Sequence, residues 1–173
     1  YAASKVAADT LCHAFYSSYE LPVVVIRPFN TFGPRQSPRA ITPSMILQFL
    51  DGNVIHTGNL FTTRDFTFVE DTARGMILGG FAKGIEGQEI NLGTGKETSM
   101  KDWLALIGKL SGKKNYKVES SADRARAGKL ELNRLCSDNA KARKLLGWKP
   151  EYTPEAGLKK TIDWFKKHRK DYG

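Results

Sequence analysis

The chain has 173 residues and a mass of 19.3 kDa, with 40% hydrophobic, 10% aromatic and 26% charged residues. These are the proportions of one ordinary globular domain and exclude collagen-like, coiled-coil and disordered classes. Charge, Gly or Pro interrupts every apolar run before the ~18 residues a membrane span needs, so no membrane partner is expected. The net charge of +9 is lopsided: residues 1–100 hold 8 Lys/Arg against 9 Asp/Glu, whereas residues 101–173 hold 19 against 9.

Residues Ala2 to about Tyr19 are good helix formers with apolar Val6, Leu11, Ala14 and Phe15, and Pro22 marks the exit, which predicts a helix. The unbroken run Val23-Val24-Val25-Ile26, ended by Pro28, predicts a strand buried on both faces, as in parallel sheets flanked by helices. Asn30 to Thr42, broken by Gly33-Pro34 and Pro38, predicts an irregular stretch. A short helix is expected over Pro43 to Leu50, stopped by Gly52, then short strands at Val54–His56 and Asp65–Val69. Asp71 to about Phe81 predicts a helix with an acidic first turn, and Gln88–Leu92 a further strand.

Ser99-Met100-Lys101-Asp102 fits a capping box opening a helix with Trp103, Leu104, Ile107 and Leu110 on one face before Gly112. Lys113 to Leu135 is polar and weakly periodic, with one strand expected near Tyr116–Val118. Asp138 predicts the cap of a helix through Leu146 with Gly147 at C′, and Thr153-Pro154-Glu155 opens the last helix. There Lys159, Lys160, Lys166 and Lys167 surround Leu158, Ile162, Trp164 and Phe165, the pattern of an amphipathic helix with a cationic outer face. That assigns most of the C-terminal charge to solvated surface. Without a stacking-aromatic motif or recognition helix, no nucleic-acid partner is expected. Strands and helices alternate without a linker, so the class is α/β in a single unit.

Several residues are candidates for chemistry. Tyr1-Ala2-Ala3-Ser4-Lys5 places a phenol and an ammonium at i and i+4, where a positive charge favours the phenolate and equips Tyr1 as a general acid/base; by itself such a pair is a solvated helix contact. Arg64 suits a diphosphate, since a guanidinium matches phosphate oxygens, or else it pairs with Asp65 or Glu70. Arg126, with Arg124 second, and Arg35 suit similar contacts or stay solvated. Asp65 and Asp71 are expected in structural roles, and Gly93-Thr94-Gly95 as a tight turn ahead of Ser99, since a lone GxG is a weak phosphate signal. Trp103, Trp148 and Trp164 are expected in core packing. Cys12 and Cys136 are expected as reduced thiols, and His13, His56 and His168 lack metal-ligand spacing, so no metal is expected.

In order along the chain stand Tyr1-x-x-x-Lys5, Arg27-Pro28-Phe29-Asn30-Thr31-Phe32-Gly33-Pro34-Arg35, Arg64-Asp65-Phe66-Thr67-Phe68-Val69-Glu70-Asp71, Asn91-Leu92-Gly93-Thr94-Gly95 and Leu145-Leu146-Gly147-Trp148. This series resembles the extended short-chain dehydrogenase/reductases, specifically the NAD-dependent nucleotide-sugar 4,6-dehydratases and epimerases. The run Arg27 to Arg39 is similar to dehydratases that feed bacterial surface glycans.

The resemblance implies the C-terminal part of a Rossmann-type parallel sheet, over about residues 1–35 and parts of 60–100, plus a smaller α/β substrate-binding lobe. It implies Tyr1 as catalytic base/acid at the sugar 4-hydroxyl, with Lys5 lowering its pKa and holding the nicotinamide ribose. It further implies Pro28 and Phe29 as the wall of the nicotinamide pocket, and Asn30, Arg35, Arg64 and Arg126 as contacts to a nucleotide-diphosphate sugar. The Gly-rich NAD pyrophosphate turn, the Ser/Thr partner of the tyrosine and the acidic pair of a dehydratase lie outside this sequence, so the isolated chain is expected to be inactive and to bind NAD weakly. The alternative is a non-catalytic nucleotide-sugar-binding or oligomerisation module. The first helix resembles one that pairs across a two-fold axis, and the Val23–Ile26 flank is expected to be open to water, which together predict a homodimer or higher oligomer. A cytoplasmic location is expected.

Overall fold

A computed structural model describes residues 1–120 and 132–172; Arg124 and Arg126 lie outside the described residues. Helix α1 (Ala2–Tyr19) ends where Glu20 enters the left-handed region at φ 54° and returns its N–H to the Tyr16 carbonyl at 3.0 Å. Strand β1 is Val25–Pro28 and pairs in parallel with β6 (Glu89–Leu92). Strand β2 (Asn30–Phe32) pairs in parallel with β5 (Phe66–Phe68), and β3 (Val54–Thr57) with β8 (Lys117–Ser120). A three-stranded sheet has β4 (Thr63–Arg64) at its centre, antiparallel to β7 (Thr98–Ser99) and parallel to β9 (Arg134–Leu135). The remaining helices are α2 (Ile41–Asp51), α3 (Val69–Phe81), α4 (Met100–Leu110), α5 (Ala140–Leu146) and α6 (Pro154–Lys167), followed by a 3₁₀ turn at Arg169–Tyr172. Parallel pairs whose partners are distant in sequence, with helices between, make this an α/β fold.

The helices begin where local chemistry satisfies their first N–H groups. Ser99 Oγ accepts from the Asp102 N–H at 3.0 Å, and Thr153 Oγ1 from the Ala156 N–H at 3.2 Å with Pro154 in the first turn. Asn139 occupies the cap position of α5, one residue beyond the expected Asp138, whose carboxylate accepts from the Ala140 N–H at 2.9 Å. Gly147 ends α5 at φ 60°. Helix α2 starts earlier than expected, at Ile41, because Pro43 falls in its first turn, where the missing N–H costs nothing.

The strands depart further from expectation. The apolar run gives up its first residues to a turn: the Val23 N–H bonds the Leu21 carbonyl, and the Val23 carbonyl accepts from Gly87. The ladder therefore starts at Val25, and only Val25 is buried, because among the described residues β1 pairs with β6 alone. The stretch expected to be irregular contains β2; the strand expected over Asp65–Val69 is β5, shortened to Phe66–Phe68, and β4 just ahead of Asp65 is an addition to it. The Val23–Ile26 flank is not among the exposed apolar surface, which includes Val6 and Leu11 on α1, Ile77 and Phe81 on α3, and Phe61.

The main core lies between the β2–β5 pair and helices α2, α4 and α6. Trp103 stacks on Phe66 with centroids 4.0 Å apart and donates its indole N–H to Thr42 Oγ1 at 3.0 Å. Gly157 lets α6 approach, since a Cβ there would stand 2.8 Å from both the Phe32 and Phe68 rings. A smaller core gathers Ile85, Ile90, Leu92, Ala142 and Trp148, whose indole N–H donates to the Asp71 carbonyl at 2.9 Å. Trp164 is half-buried against the main core, and α6 turns Lys159, Lys166 and Lys167 to solvent.

Candidate functional site

Open α/β folds bind ligands beyond the carboxyl ends of their parallel strands, because that is where loops diverge and backbone groups are left unpaired. Here β1 ends at Pro28, and the chain crosses from the β6 ladder to the β5 ladder through Phe29, whose N–H donates to the Leu92 carbonyl at 2.9 Å. An open cleft of about 1140 Å³ lies at this crossing. Tyr1, Pro28, Phe29 and Asn30 line one part of it, the start of α2 another, and Arg64 and Phe66 of the β4–β5 segment a third. Five of the expected site residues thus share one cavity. A smaller hollow of about 390 Å³ at the end of α4 is lined by Lys109, Lys113, Lys114 and Tyr116 and brings no acid or nucleophile together.

Tyr1 stands at the cleft with its side chain almost free, 95% exposed. The Lys5 ammonium sits over the Tyr1 ring, 5.5 Å from its centroid, so its contact is with the π face. Lys5 does not line the cleft. Arg35 is exposed and outside it as well, on a backbone turned left-handed at φ 65°. Arg39 lines the cleft in its place, although the sequence did not single it out.

Arg64 takes neither of its expected carboxylate partners. Its Nη1 donates to the Thr63 carbonyl at 2.7 Å, and among the described residues it makes no ion pair. Asp65 turns the other way and is wholly buried, accepting from the Thr94 N–H and hydroxyl at 2.8 and 2.5 Å and from the Gly95 N–H at 2.9 Å. It also accepts from the Ser137 N–H at 3.1 Å and hydroxyl at 2.6 Å. Gly93 permits this approach: a Cβ there would lie 2.3 Å from Ser137 Oγ. The Gly93-Thr94-Gly95 turn therefore spends its backbone donors on the protein's own carboxylate. Glu70 bonds the Tyr152 hydroxyl and Lys160, and the Tyr152 bond, then Lys160, holds its carboxyl below the usual carboxylate range. Asp71, also buried, receives the Glu151 and Tyr152 N–H groups and Arg74. Both aspartates are structural hubs.

The electrostatic result is a cleft lined by Arg39 and Arg64 and, among the described residues, by no Asp or Glu. The N-terminus of α2 also opens onto it, with no side-chain cap and no acid in its first turn, so the positive end of the helix dipole faces the cavity uncompensated. Such a surface suits an anion. It lacks a thiolate nucleophile: burial pushes the Cys136 thiol up, and Cys136 does not line the cleft. Among the described residues no group of three or more His, Cys, Asp or Glu is placed to hold a metal. No described helix is long and apolar enough to cross a membrane.

Comparison with known proteins places this arrangement. The sequence profile described as GDP-mannose 4,6 dehydratase matches residues 1–161. The chain is 37% identical over 175 residues to dTDP-glucose 4,6-dehydratase of Neisseria gonorrhoeae, covering 95% of this chain and 50% of that protein. It is 33% identical over 172 residues to UDP-glucose 4-epimerase of Mycolicibacterium smegmatis, covering 96% of this chain and 52% of that one. The structure superposes with TM-score 0.88 on dTDP-glucose 4,6-dehydratase of Bacillus anthracis in complex with NAD, at 29% identity over 98% of this chain and 53% of that one. The TM-score is also 0.88 for UDP-glucose 4-epimerase of Thermotoga maritima with UDP-glucose, at 27% identity over 98% of this chain and 54% of that one. The chain spans about half the length of the relatives it matches. With a Rossmann-type fold and a profile match over most of its length, the chain belongs to the NAD-dependent epimerase/dehydratase family of extended short-chain dehydrogenase/reductases.

Proposed function

We propose that the cleft binds a nucleotide-diphosphate sugar and that the chain forms the substrate side of an NAD-dependent 4,6-dehydratase or 4-epimerase. The observation that carries this is the acid-free cleft in which Arg64 keeps its guanidinium out of any ion pair among the described residues. A buried or half-buried guanidinium ordinarily finds a carboxylate, and one left without it in a cavity is disposed toward an incoming anion. Arg64 and Arg39, with the open start of α2, take the diphosphate, and Asn30 takes a sugar hydroxyl. Arg35, expected as a contact, stands outside the cleft and takes no part in this reading, while Arg126, outside the described residues, is a secondary contact.

The residues present fit the nicotinamide end of NAD: Tyr1, Pro28 and Phe29 form one wall, with Lys5 beside Tyr1 for the ribose hydroxyls. Among the described residues, the Gly93-Thr94-Gly95 turn is not free to take the pyrophosphate, because its Thr94 and Gly95 N–H groups are already held by Asp65. When bound, NAD supplies a two-electron acceptor for hydride from sugar C4. Tyr1 receives the proton of the 4-hydroxyl, and Phe29 shields the reacting carbon from water. Residues 1–35 and parts of 60–100 are the Rossmann portion in this reading, and the remainder is the substrate lobe.

The parent activity belongs to cytoplasmic sugar-nucleotide synthesis for bacterial surface glycans, in keeping with two unpaired cysteines. The exposed Val6, Leu11 and Phe15 of α1 support a homodimer through that helix.

The test is an amide-shift titration of the chain with UDP-glucose and dTDP-glucose. Saturating shifts at Asn30 and Arg64, abolished in Arg64→Ala, are expected with at least one ligand. Binding of neither ligand at these residues overturns the reading.

A further inference from the structure

Helix α1 carries the Tyr1/Lys5 pair, yet no residue of α1 is buried. The residues it half-buries are Asp9, Cys12 and His13, so its contact with the sheet is polar where a surface helix would ordinarily use an apolar stripe. At 100° per residue, positions 1, 5, 9, 12, 13 and 16 fall within one side of the helix. The face that meets the sheet is thus the face that bears the tyrosine and the lysine.

What holds it there is a chain of charges. Arg27 on β1 donates from Nε to Asp9 at 2.9 Å and from Nη2 at 2.6 Å, while its Nη1 lies 2.6 Å from Glu89 on β6. Glu89 also meets His13 Nε2 at 2.7 Å, and because a carboxylate only accepts, that ring nitrogen carries the proton. One guanidinium is shared by two carboxylates from different elements, and a second helix residue closes the network on the same strand. At the far end Tyr16 lies over Gly87, where a Cβ would come within 2.4 Å of the ring, so only glycine admits the helix this closely.

We propose that Asp9, Arg27, Glu89 and His13 are positioning residues: their network fixes the rotation and tilt of α1 on the β1–β6 pair and so sets where Tyr1 and Lys5 stand relative to the Pro28-Phe29-Asn30 turn. Arg27 links the two parts directly, since it belongs to the strand whose end forms that turn. The consequence for chemistry rests on the role proposed for Tyr1 and Lys5; the docking of α1 does not. Networks of this kind hold orientation more than stability, because half-exposed ion pairs contribute little to global folding while fixing geometry.

The test needs no ligand, so it fails or succeeds independently of nucleotide-sugar binding. Residual dipolar couplings and amide exchange are measured along the chain for the wild type, Asp9→Asn, Glu89→Gln and the conservative variant Asp9→Glu, which keeps a carboxylate facing Arg27 and leaves the Arg27–Glu89 pair intact. In Asp9→Asn and Glu89→Gln the α1 couplings are expected to shrink toward zero and α1 amides to exchange at least about fivefold faster, while α4 and α6 keep native values. Asp9→Glu is expected to keep α1 at wild-type values. Unchanged α1 couplings in both single variants would overturn the proposal. So would an equal loss of protection in α1, α4 and α6, which marks a merely structural role, or an Asp9→Glu variant as loose at α1 as Asp9→Asn on an otherwise native fold.

Discussion

Replacing Asp65 by Ala is expected to cost about 3 kcal/mol of stability, and the reason lies in the donors it strands. The wholly buried carboxylate receives three backbone N–H groups, from Thr94, Gly95 and Ser137, and two hydroxyls. Hydroxyls rotate to other acceptors, but the three N–H groups are fixed by their loops, and each buried donor left unsatisfied costs about 1 kcal/mol or more. Removing the carboxylate also removes its own desolvation cost, which keeps the sum near the lower end of what breaking a buried charged cluster produces. Asp65→Asn keeps one acceptor oxygen and turns an amide N–H toward the remaining donors, so it is expected to cost about 1–2 kcal/mol.

Urea unfolding read at constant m gives both values. Because Asp65 separates β4 from β5 and ties them to the loop after β9, Arg64 loses its placement too, and nucleotide-sugar affinity of the folded Asn variant should fall. An Asp65→Ala loss below about 1 kcal/mol with unchanged m would refute the accounting of stranded donors.

The Glu70 carboxyl lies below the usual 4.5 because the Tyr152 hydroxyl and then Lys160 bond it, so this clip between α3 and α6 contributes stability above that pH and loses it as pH falls through the depressed folded value. Stability measured from pH 7 down to pH 3 should therefore fall more steeply in the wild type than in Glu70→Gln, and parallel curves would contradict the linkage. Calorimetry with NAD is expected to show binding no tighter than about millimolar for this chain, since the Thr94 and Gly95 donors are spent on Asp65; a micromolar constant would refute it. Sedimentation at tens of micromolar should show a dimer that Leu11→Asp disperses, and a clean wild-type monomer would remove α1 as the pairing surface.

How far the sequence leads depends on how far apart the interacting groups lie. Ser99, Thr153-Pro154 and Gly147 announce helix ends accurately because a cap acts on N–H or C=O groups within a turn of itself. Strand β2 escapes the same reading: Asn30-Thr31-Phe32 has no pattern of its own and becomes a strand only by pairing with Phe66-Thr67-Phe68. Asp65, expected to open the strand that begins instead at Phe66, stays out of it for a kindred reason, since the donors that draw its carboxylate aside come from Thr94, Gly95 and Ser137.

The cleft divides along the same line. Tyr1, Pro28, Phe29, Asn30 and Arg64 are legible because ordered motifs hold them. Arg39 is not, since its place depends on where α2 begins, and Arg35 leaves the cleft through a left-handed backbone angle that its residue type does not announce. The ion network under α1 is the extreme case. Asp9, His13, Arg27 and Glu89 look like ordinary surface charges until two strands and a helix bring them together, and that assembly gives the Tyr1/Lys5 face its direction.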